Sequence, residues 1–445
     1  MDIKNEKKQK SWFSWALLAL GTLVLAVLVW QVPLLRYVLP FGFLGYLVGK
    51  GVWSCGAEQR RFLLFIVIVA LVLRLLYAFM IQSLPVRSAE GFFFPDEGSY
   101  DVFSEKIAGD WHAGVFPELW KDTYLGTLHT GYYRILAAVY YVLGHRRFVA
   151  ILLNVLAASL VPVLLYFLGL RLINERGARW AALLGVVHPS FWFWNAFLIK
   201  DAFHIVFFLF LLWVLLRLVE RVNYVDLLAA LGGVFFLSLL RVYSSATLVA
   251  TLVAYLMFFA PRKRWYWIAA VGLVVLLLAG RVVFYVRSYE DQIIYSFLNM
   301  LPDEISNHWR LAKHLVRGIP RFVLAPYAWY FSGTYDVHYF LYPGQWVLYL
   351  VILPFALKGC AVVLREDRRE WFFLLFPIVV SCFVFLLAFR GSVPRQRLSL
   401  EALFILMAAM GLQRKGSKGV VVSWYVFFGL FVTVHIISLF VRGIW

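Results

Sequence analysis

Three short segments of this 445-residue chain gather acids and bases that could act together. In FFFPDEGSY, Asp96 and Glu97 are adjacent carboxylates behind Pro95. Acids at a helix start are favourable in themselves, because the first-turn N–H groups and the helix dipole attract negative charge. The same pair can instead supply a general base, Asp96, and a neighbour, Glu97, that orients it or binds a cation. In NAFLIKDAFHIV, Lys200 and Asp201 occupy a short turn between apolar runs. Such charges either mark the loop or line a cavity where Lys200 meets a phosphate and Asp201 a sugar hydroxyl or a metal. Arg241, in LLRVYSSA, holds the equivalent turn of the next pair of runs, where snorkelling accounts for it as well as ligand contact does. In AFRGSVPRQRLSLEAL, Arg390, Arg395 and Arg397 share one loop. Guanidinium groups grip a phosphate bidentately and stabilise a phosphate leaving group; contact with anionic lipid headgroups is the competing reading. A divalent ion (Mg2+, Mn2+ or Ca2+) on Asp96 and Asp201 is compatible with these acids but not demanded. His112, His129, His308, His314 and His338 show no preformed zinc spacing.

The elements that must position these groups are membrane spans. The chain is 63% hydrophobic and 15% charged, against roughly 45–50% and about 25% in soluble domains, which excludes an ordinary water-soluble enzyme. Its apolar runs are continuous and about twenty residues long, the length of a spanning helix and not of alternating barrel strands. The expected fold is all-α and polytopic, with thirteen spans at roughly 12–30, 34–49, 62–81, 148–169, 180–198, 202–218, 225–241, 243–259, 265–286, 343–358, 371–389, 399–412 and 420–440. With the N-terminus cytoplasmic, the inner segments hold 22 bases and nine acids, and the rest of the chain 20 bases and 15 acids. This is the bias of inner loops, and it accounts for the net charge of +18 without nucleic acid. The apolar segment after MDIKNEKKQK reads as a retained first helix. Cys55, Cys360 and Cys382 are too scattered for a disulfide framework or a thiolate metal site.

Chemistry is therefore expected in the outer loops 82–147 and 287–342 and the short one at 390–398. GSYDVFSEKIAGDW carries Phe103, Ile107 and Trp111 four residues apart, an amphipathic helix expected to lie on the membrane surface. GYYRILAAVYYVL, 131–143, is too short to span and is assigned to the outer interface. HWRLAKHLVRGIPRFVLAPYAWYF reads as a basic helix followed by an aromatic interfacial segment.

A span ending in an outer loop with PDE, an interfacial helix, an LIKD turn and a late RxR loop before LSLEALFILMAA resembles the GT-C integral-membrane glycosyltransferases. The likeness is to the bacterial protein mannosyltransferase and aminoarabinose transferase-like branch, over about 62–412. It implies a polyprenyl-phosphate-sugar donor, Asp96 acting on the acceptor beside Glu97, a site acid at Asp201, and donor-phosphate contacts from Lys200, Arg395 and Arg397. Residues 1–61 form an extra N-terminal hairpin and 413–445 a last helix, and the lysine-proline pair usual before the second interfacial helix is missing from TYLGTLHTGYYRIL. The expected reaction is inverting sugar transfer to a lipid, glycan or protein hydroxyl by a monomer among membrane lipids, at the outer face of the cytoplasmic membrane. A transporter or flippase of polyprenyl-linked glycans is the alternative. It would need ionisable groups deep inside several spans, where Arg74 and Arg281 stand almost alone.

Overall fold

In the computed structural model the described residues are 33–84, 92–116, 130–221, 223–259, 346–365, 369–389, 394–413 and 418–441. All regular structure among them is helical, and the chain is an all-α, multi-pass membrane protein. Five of the described helical stretches are long and apolar enough to cross a membrane: Ala57–Gln82, Arg147–Leu172, Asp201–Glu220, Val242–Phe259 and Leu348–Arg365. The expected spans 12–30 and 265–286, the loop 287–342 and Arg390 lie outside the described residues.

Helices α1 (Pro33–Ser54) and α2 (Ala57–Gln82) meet at a tight corner. On α2, Leu63, Ile66, Ala70, Ala78 and Ile81 face inward at helical spacing, while Phe65, Ile68, Leu76 and Phe79 stay largely exposed. A stripe of exposed large apolar side chains is a liability in water and costs nothing against lipid. Arg74 is buried on the inward face and donates to the Ala70 and Gly185 carbonyl oxygens at 3.2 and 3.1 Å, so this charge within a span ties two helices together.

Helices α3 (Pro95–His112) and α4 (Thr130–Leu143) pack on each other. Ile107 and Trp111, expected to face lipid, are buried instead, and Tyr100 packs against Tyr132 and Tyr133 with ring centroids 4.9 and 4.7 Å away. The apolar stripe of α3 is thus largely covered by α4, a partner close in sequence that periodicity alone does not reveal. Asp101 pins the pair to the start of the next helix. Tyr140 donates to its carboxylate at 2.6 Å and Arg147 at 2.7 Å, and His145 lies 2.9 Å away. Burial opposes ionisation of Asp101, but these bonds outweigh it and hold the carboxyl below its ordinary range.

Helices α5 (Arg147–Ala158) and α6 (Val161–Leu172) run on with a break before Pro162. Helix α7 (Glu175–Val187) starts at Asn174, whose side chain accepts the Gly177 N–H at 2.9 Å, and it stops where Pro189 forces His188 into an extended conformation (φ −71°, ψ 115°). The short α8 (Pro189–Phe193) and an irregular turn come next, so the expected span 180–198 is broken partway. The chain continues through α9 (Asp201–Glu220), α10 (Tyr224–Leu240) and α11 (Val242–Phe259). Helix α9 is apolar all round because it is central, with nearly every side chain buried.

After the undescribed stretch, a π-helical turn at Leu348–Ile352 leads into α12 (Leu353–Arg365), followed by α13 (Phe372–Phe389). A 3-10 turn, Pro394–Arg397, opens α14 (Leu398–Gln413), and α15 (Lys418–Val441) ends the described chain. Helices α12 and α14 cross closely: a Cβ at Gly359 would strike the Met407 carbonyl, and one at Gly411 the Phe355 carbonyl.

Candidate active site

The irregular turn 194–200 has backbone groups that no helix satisfies, and its residues are all buried. Three side chains from three other elements take them. Gln82, at the end of α2, donates to the Ala196 carbonyl at 2.9 Å. Asn154 of α5 donates to the Phe197 and Ile199 carbonyls at 2.7 and 3.0 Å and is itself held by Tyr132. Glu97 accepts the Leu198 N–H at 2.8 Å through one carboxylate oxygen; its other accepts from Phe93 and Phe94 at 2.8 and 3.1 Å. Glu97 is therefore the N3 residue that caps α3 and also the bolt joining the PDE segment to the LIKD turn. Burial raises its carboxyl above the ordinary range, against the pull of these three N–H groups.

With the turn fixed, Asp201 enters as the first residue of α9 and Arg241 as the residue that closes α10. They are ion-paired and both fully buried, and Arg241 also donates to the Tyr243 hydroxyl at 2.7 Å. Arg395 comes from the 3-10 turn, its Nε 2.8 Å from Asp201 Oδ2 and its Nη1 2.8 Å from Asp96 Oδ2. Four of the expected residues thus form one ladder of alternating charge, Asp96, Arg395, Asp201, Arg241. Exposure decides their roles: Asp96 is 53% exposed, Arg395 16% and Asp201 0%. The Arg395–Asp201 approach is a charge contact whose N–H is not aimed at the carboxylate. Asp201 Oδ2 therefore receives no aligned donor among the described residues and keeps acceptor capacity for a ligand. Burial works against the Arg395 charge, but Asp201 outweighs it with help from Asp96, and the guanidinium is held more firmly protonated than usual.

Lys200 is buried beside the ladder, and its side chain makes no hydrogen bond among the described residues. Burial first, then repulsion from Arg241 and Arg395, push its ammonium well below the ordinary lysine range, only partly offset by Asp201 and Asp96. An anion arriving here would reverse that balance and be met by a proton on Lys200.

Besides Lys200, two expected residues do not join the ladder. Arg397 is fully buried and donates to Glu401 at 2.7 Å, and Glu401 in turn pairs with His188 at 2.8 Å; Glu97 serves backbone N–H groups as above. Sequence reasoning missed Tyr100, Asn154, Tyr243 and the His188–Glu401 pair. Tyr100 had a signal, being one helical turn after Asp96, where i and i+4 share a face. Asn154, His188 and Glu401 had only the weaker one of polar groups inside apolar runs. His204 is a further case, its ring 2.8 Å from the Ser244 hydroxyl.

Residues 131–285 match the family described as dolichyl-phosphate-mannose-protein mannosyltransferase. That stretch, about a third of the chain, carries Lys200, Asp201 and Arg241 but neither Asp96 nor Arg395. No curated protein matches the chain. Among the solved structures that resemble it are the oligosaccharyltransferase of Archaeoglobus fulgidus in complex with an inhibitory peptide and a dolichol-phosphate, and the same organism's oligosaccharyltransferase with Zn and sulfate. Identity is 13% to each, over 84% of this chain and 55% and 51% of theirs, with TM-scores of 0.49 and 0.46. This chain spans about half the length of those chains.

Among the described residues no three His, Cys, Asp or Glu side chains group to hold a metal ion. Asp96 and Asp201, the acids considered for a divalent ion, are already bridged by Arg395, whose charge does what a cation between them would do. As arranged, the two acids do not fit such an ion. What the site offers is a half-exposed carboxylate beside three buried or nearly buried bases, at the end of an apolar bundle.

Proposed function

We propose that this protein is a GT-C glycosyltransferase that moves a sugar, with inversion, from a polyprenyl-phosphate donor to an acceptor hydroxyl. The observation that carries the proposal is the ladder in which Arg395 joins the exposed Asp96 to the buried Asp201. The match of 131–285 to a mannosyltransferase family supports it, because that family's description names a lipid-phosphate sugar. The acceptor is a lipid, glycan or protein. The working unit is 62–412, acting at the outer face of the cytoplasmic membrane, with the N-terminus inside.

Each step rests on charge. The donor phosphate enters beside Lys200 and Arg395 and takes Arg395 from Asp96. Asp201, with Arg241 behind it, keeps Arg395 in place and accepts a sugar hydroxyl on Oδ2. Asp96, released, accepts the acceptor's proton as that oxygen attacks the anomeric carbon. The bond from that carbon to the phosphate oxygen breaks on the opposite side, and its electron pair leaves with the polyprenyl phosphate, against Lys200 and Arg395. Glu97 and Arg397 position rather than react. Incubating the purified protein with short-chain polyprenyl-phosphate sugars and following release of polyprenyl phosphate tests the reaction. No release from any donor in a panel, by folded protein in lipid, overturns it.

Lys200 gives the reaction a pH signature. Its depressed pKa in the free protein should rise when the phosphate binds, so binding takes up a proton. Donor affinity is then greatest below that depressed value and falls as pH rises through it. A phosphodiester has no proton to lose there, so the slope belongs to Lys200. Titration of a donor analogue across pH should show this fall in the wild type and not in Lys200→Met; equal slopes in both would remove the assignment.

The proposed orientation rests on the charge split between inner segments and the rest of the chain. A cysteine placed at Asp96 should react with a membrane-impermeant thiol reagent in intact cells, and one at Lys263 should not. The reverse pattern would turn the molecule over.

A further inference from the structure

At the end of the bundle opposite the acid–arginine ladder is a cavity of about 660 Å³ between α1, α6, α9 and the start of α10. Its floor is aromatic: Phe167 and Trp213 stack at 5.1 Å between centroids and 17° between planes. Its rim is basic, with Lys50, Arg171, Arg217 and Arg221 against Glu220 and Asp226. The two acids are already engaged. Arg171 pairs with Glu220, and Arg217 pairs with Asp226 at 2.8 Å while its guanidinium lies 4.8 Å over the Trp213 ring. Arg171 and Arg217 each lie in the last turn of a helix, where a base is favourable in any case.

Lys50 and Arg221 are different. Both are exposed, neither pairs with a carboxylate among the described residues, and they line one cavity from α1 and from the residue that caps α9; Lys50 Nζ also lies 5.9 Å from the Tyr46 ring centroid. Two bases on the rim of one aromatic-floored cavity, neither neutralised by a carboxylate, favour an anion bound between them. The cavity is within the size range of small-molecule sites, and it lies at the ends of the apolar helices α6 and α9 and the start of α10. Basic pockets between spanning helices suit phosphate headgroups, with the apolar wall left for a chain or ring.

We infer that this cavity binds a phosphate-bearing anion with an apolar or aromatic portion, its phosphate between Lys50 and Arg221. The site is separate from the ladder and does not depend on the transfer reaction. Its occupant comes either from the leaflet, as an anionic phospholipid, or from solution, as a nucleotide or pyrophosphate.

The test uses the full chain carrying Arg395→Ala, which weakens phosphate binding at the ladder, in parallel with the wild type; Lys50 and Arg221 variants are compared within each background. One arm measures retention of phosphatidylglycerol against phosphatidylcholine by native mass spectrometry. The other titrates pyrophosphate and ATP. Loss of one of the two bases should weaken the preferred ligand about fivefold, and loss of both about thirtyfold. The exchange Lys50→Arg with Arg221→Lys, which keeps both charges, should retain most of the affinity and shows that a loss in Lys50→Ala/Arg221→Ala is not misfolding. Preference for phosphatidylglycerol that vanishes in the double Ala variant assigns a lipid; charge-dependent binding of pyrophosphate or ATP assigns a soluble anion. Binding of either class that is unchanged in the double Ala variant, or no binding at all, overturns the inference.

Discussion

Asp96→Asn is expected to slow sugar transfer by about a hundredfold to ten-thousandfold while leaving the fold and the affinity for donor close to wild type. The rate falls because Asn cannot take the acceptor's proton, and no other carboxylate of the ladder region can replace it: Glu97 is committed to three backbone N–H groups, and Asp201 is held between Arg241 and Arg395, whose charges oppose its protonation. The fold survives because the Asp96 side chain is about half exposed, and ion pairs of that kind contribute at most about 1 kcal/mol. Donor affinity should hold or improve, since Arg395 no longer has to leave an acid to meet the phosphate. The expected signature is a fall in kcat without a rise in KM for donor. A folded Asp96→Asn protein with wild-type turnover would end the base assignment, whereas a raised donor KM at unchanged kcat would make Asp96 a binding group.

Much of this site can be read from sequence because charges at the ends of apolar runs stand out. Asp96, Lys200, Asp201, Arg241 and Arg395 are each visible as a charge on the same side of the bundle, and sidedness alone brings such residues toward one another. Burial among neighbours distant in sequence is not visible. Arg395 and Arg397 have the same type and lie two residues apart, yet the turn into α14 sends one toward Asp96 and Asp201 and the other to Glu401, its own i+4 neighbour. The i+4 pairing is legible in RLSLE; that Glu401 also meets His188, from the broken helix at Pro189, is not. In the same way α3 carries a clear apolar stripe, but the stripe does not say whether lipid or α4 covers it. Asn154 is, in sequence, a blemish in an apolar run, and in the structure it holds the turn that presents Lys200 and Asp201. Polar residues inside spans are costly unless they are used, and in this protein they support irregular backbone.

Arg395 is where the proposed chemistry and the stability of the site meet, so its variants should separate along both axes. Arg395→Ala removes the group that faces the donor phosphate and also the second cation of Asp201, leaving that buried carboxylate with Arg241 as its ion-pair partner among the described residues. Leaving a buried charge with no partner costs about 3–5 kcal/mol; because Asp201 keeps Arg241 the loss should be smaller than that, but a lower melting temperature is still expected along with weaker donor binding and slower transfer. Stability loss alone does not establish a donor role. Arg395→Lys therefore decides: it returns the charge and most of the stability, but an ammonium has one nitrogen where the guanidinium uses Nε for Asp201 and Nη1 for Asp96. It should recover the melting temperature more fully than the donor affinity. Arg397→Ala is the internal comparison. Its guanidinium is buried against Glu401, so the loss should be mainly of stability, and affinity per folded molecule should change little. Binding of a short-chain donor analogue, measured with thermal melts on the same preparations, reads all three variants. If folded Arg395→Ala binds donor as the wild type does, the phosphate is held elsewhere, and the ladder is a structural clamp rather than the heart of the site.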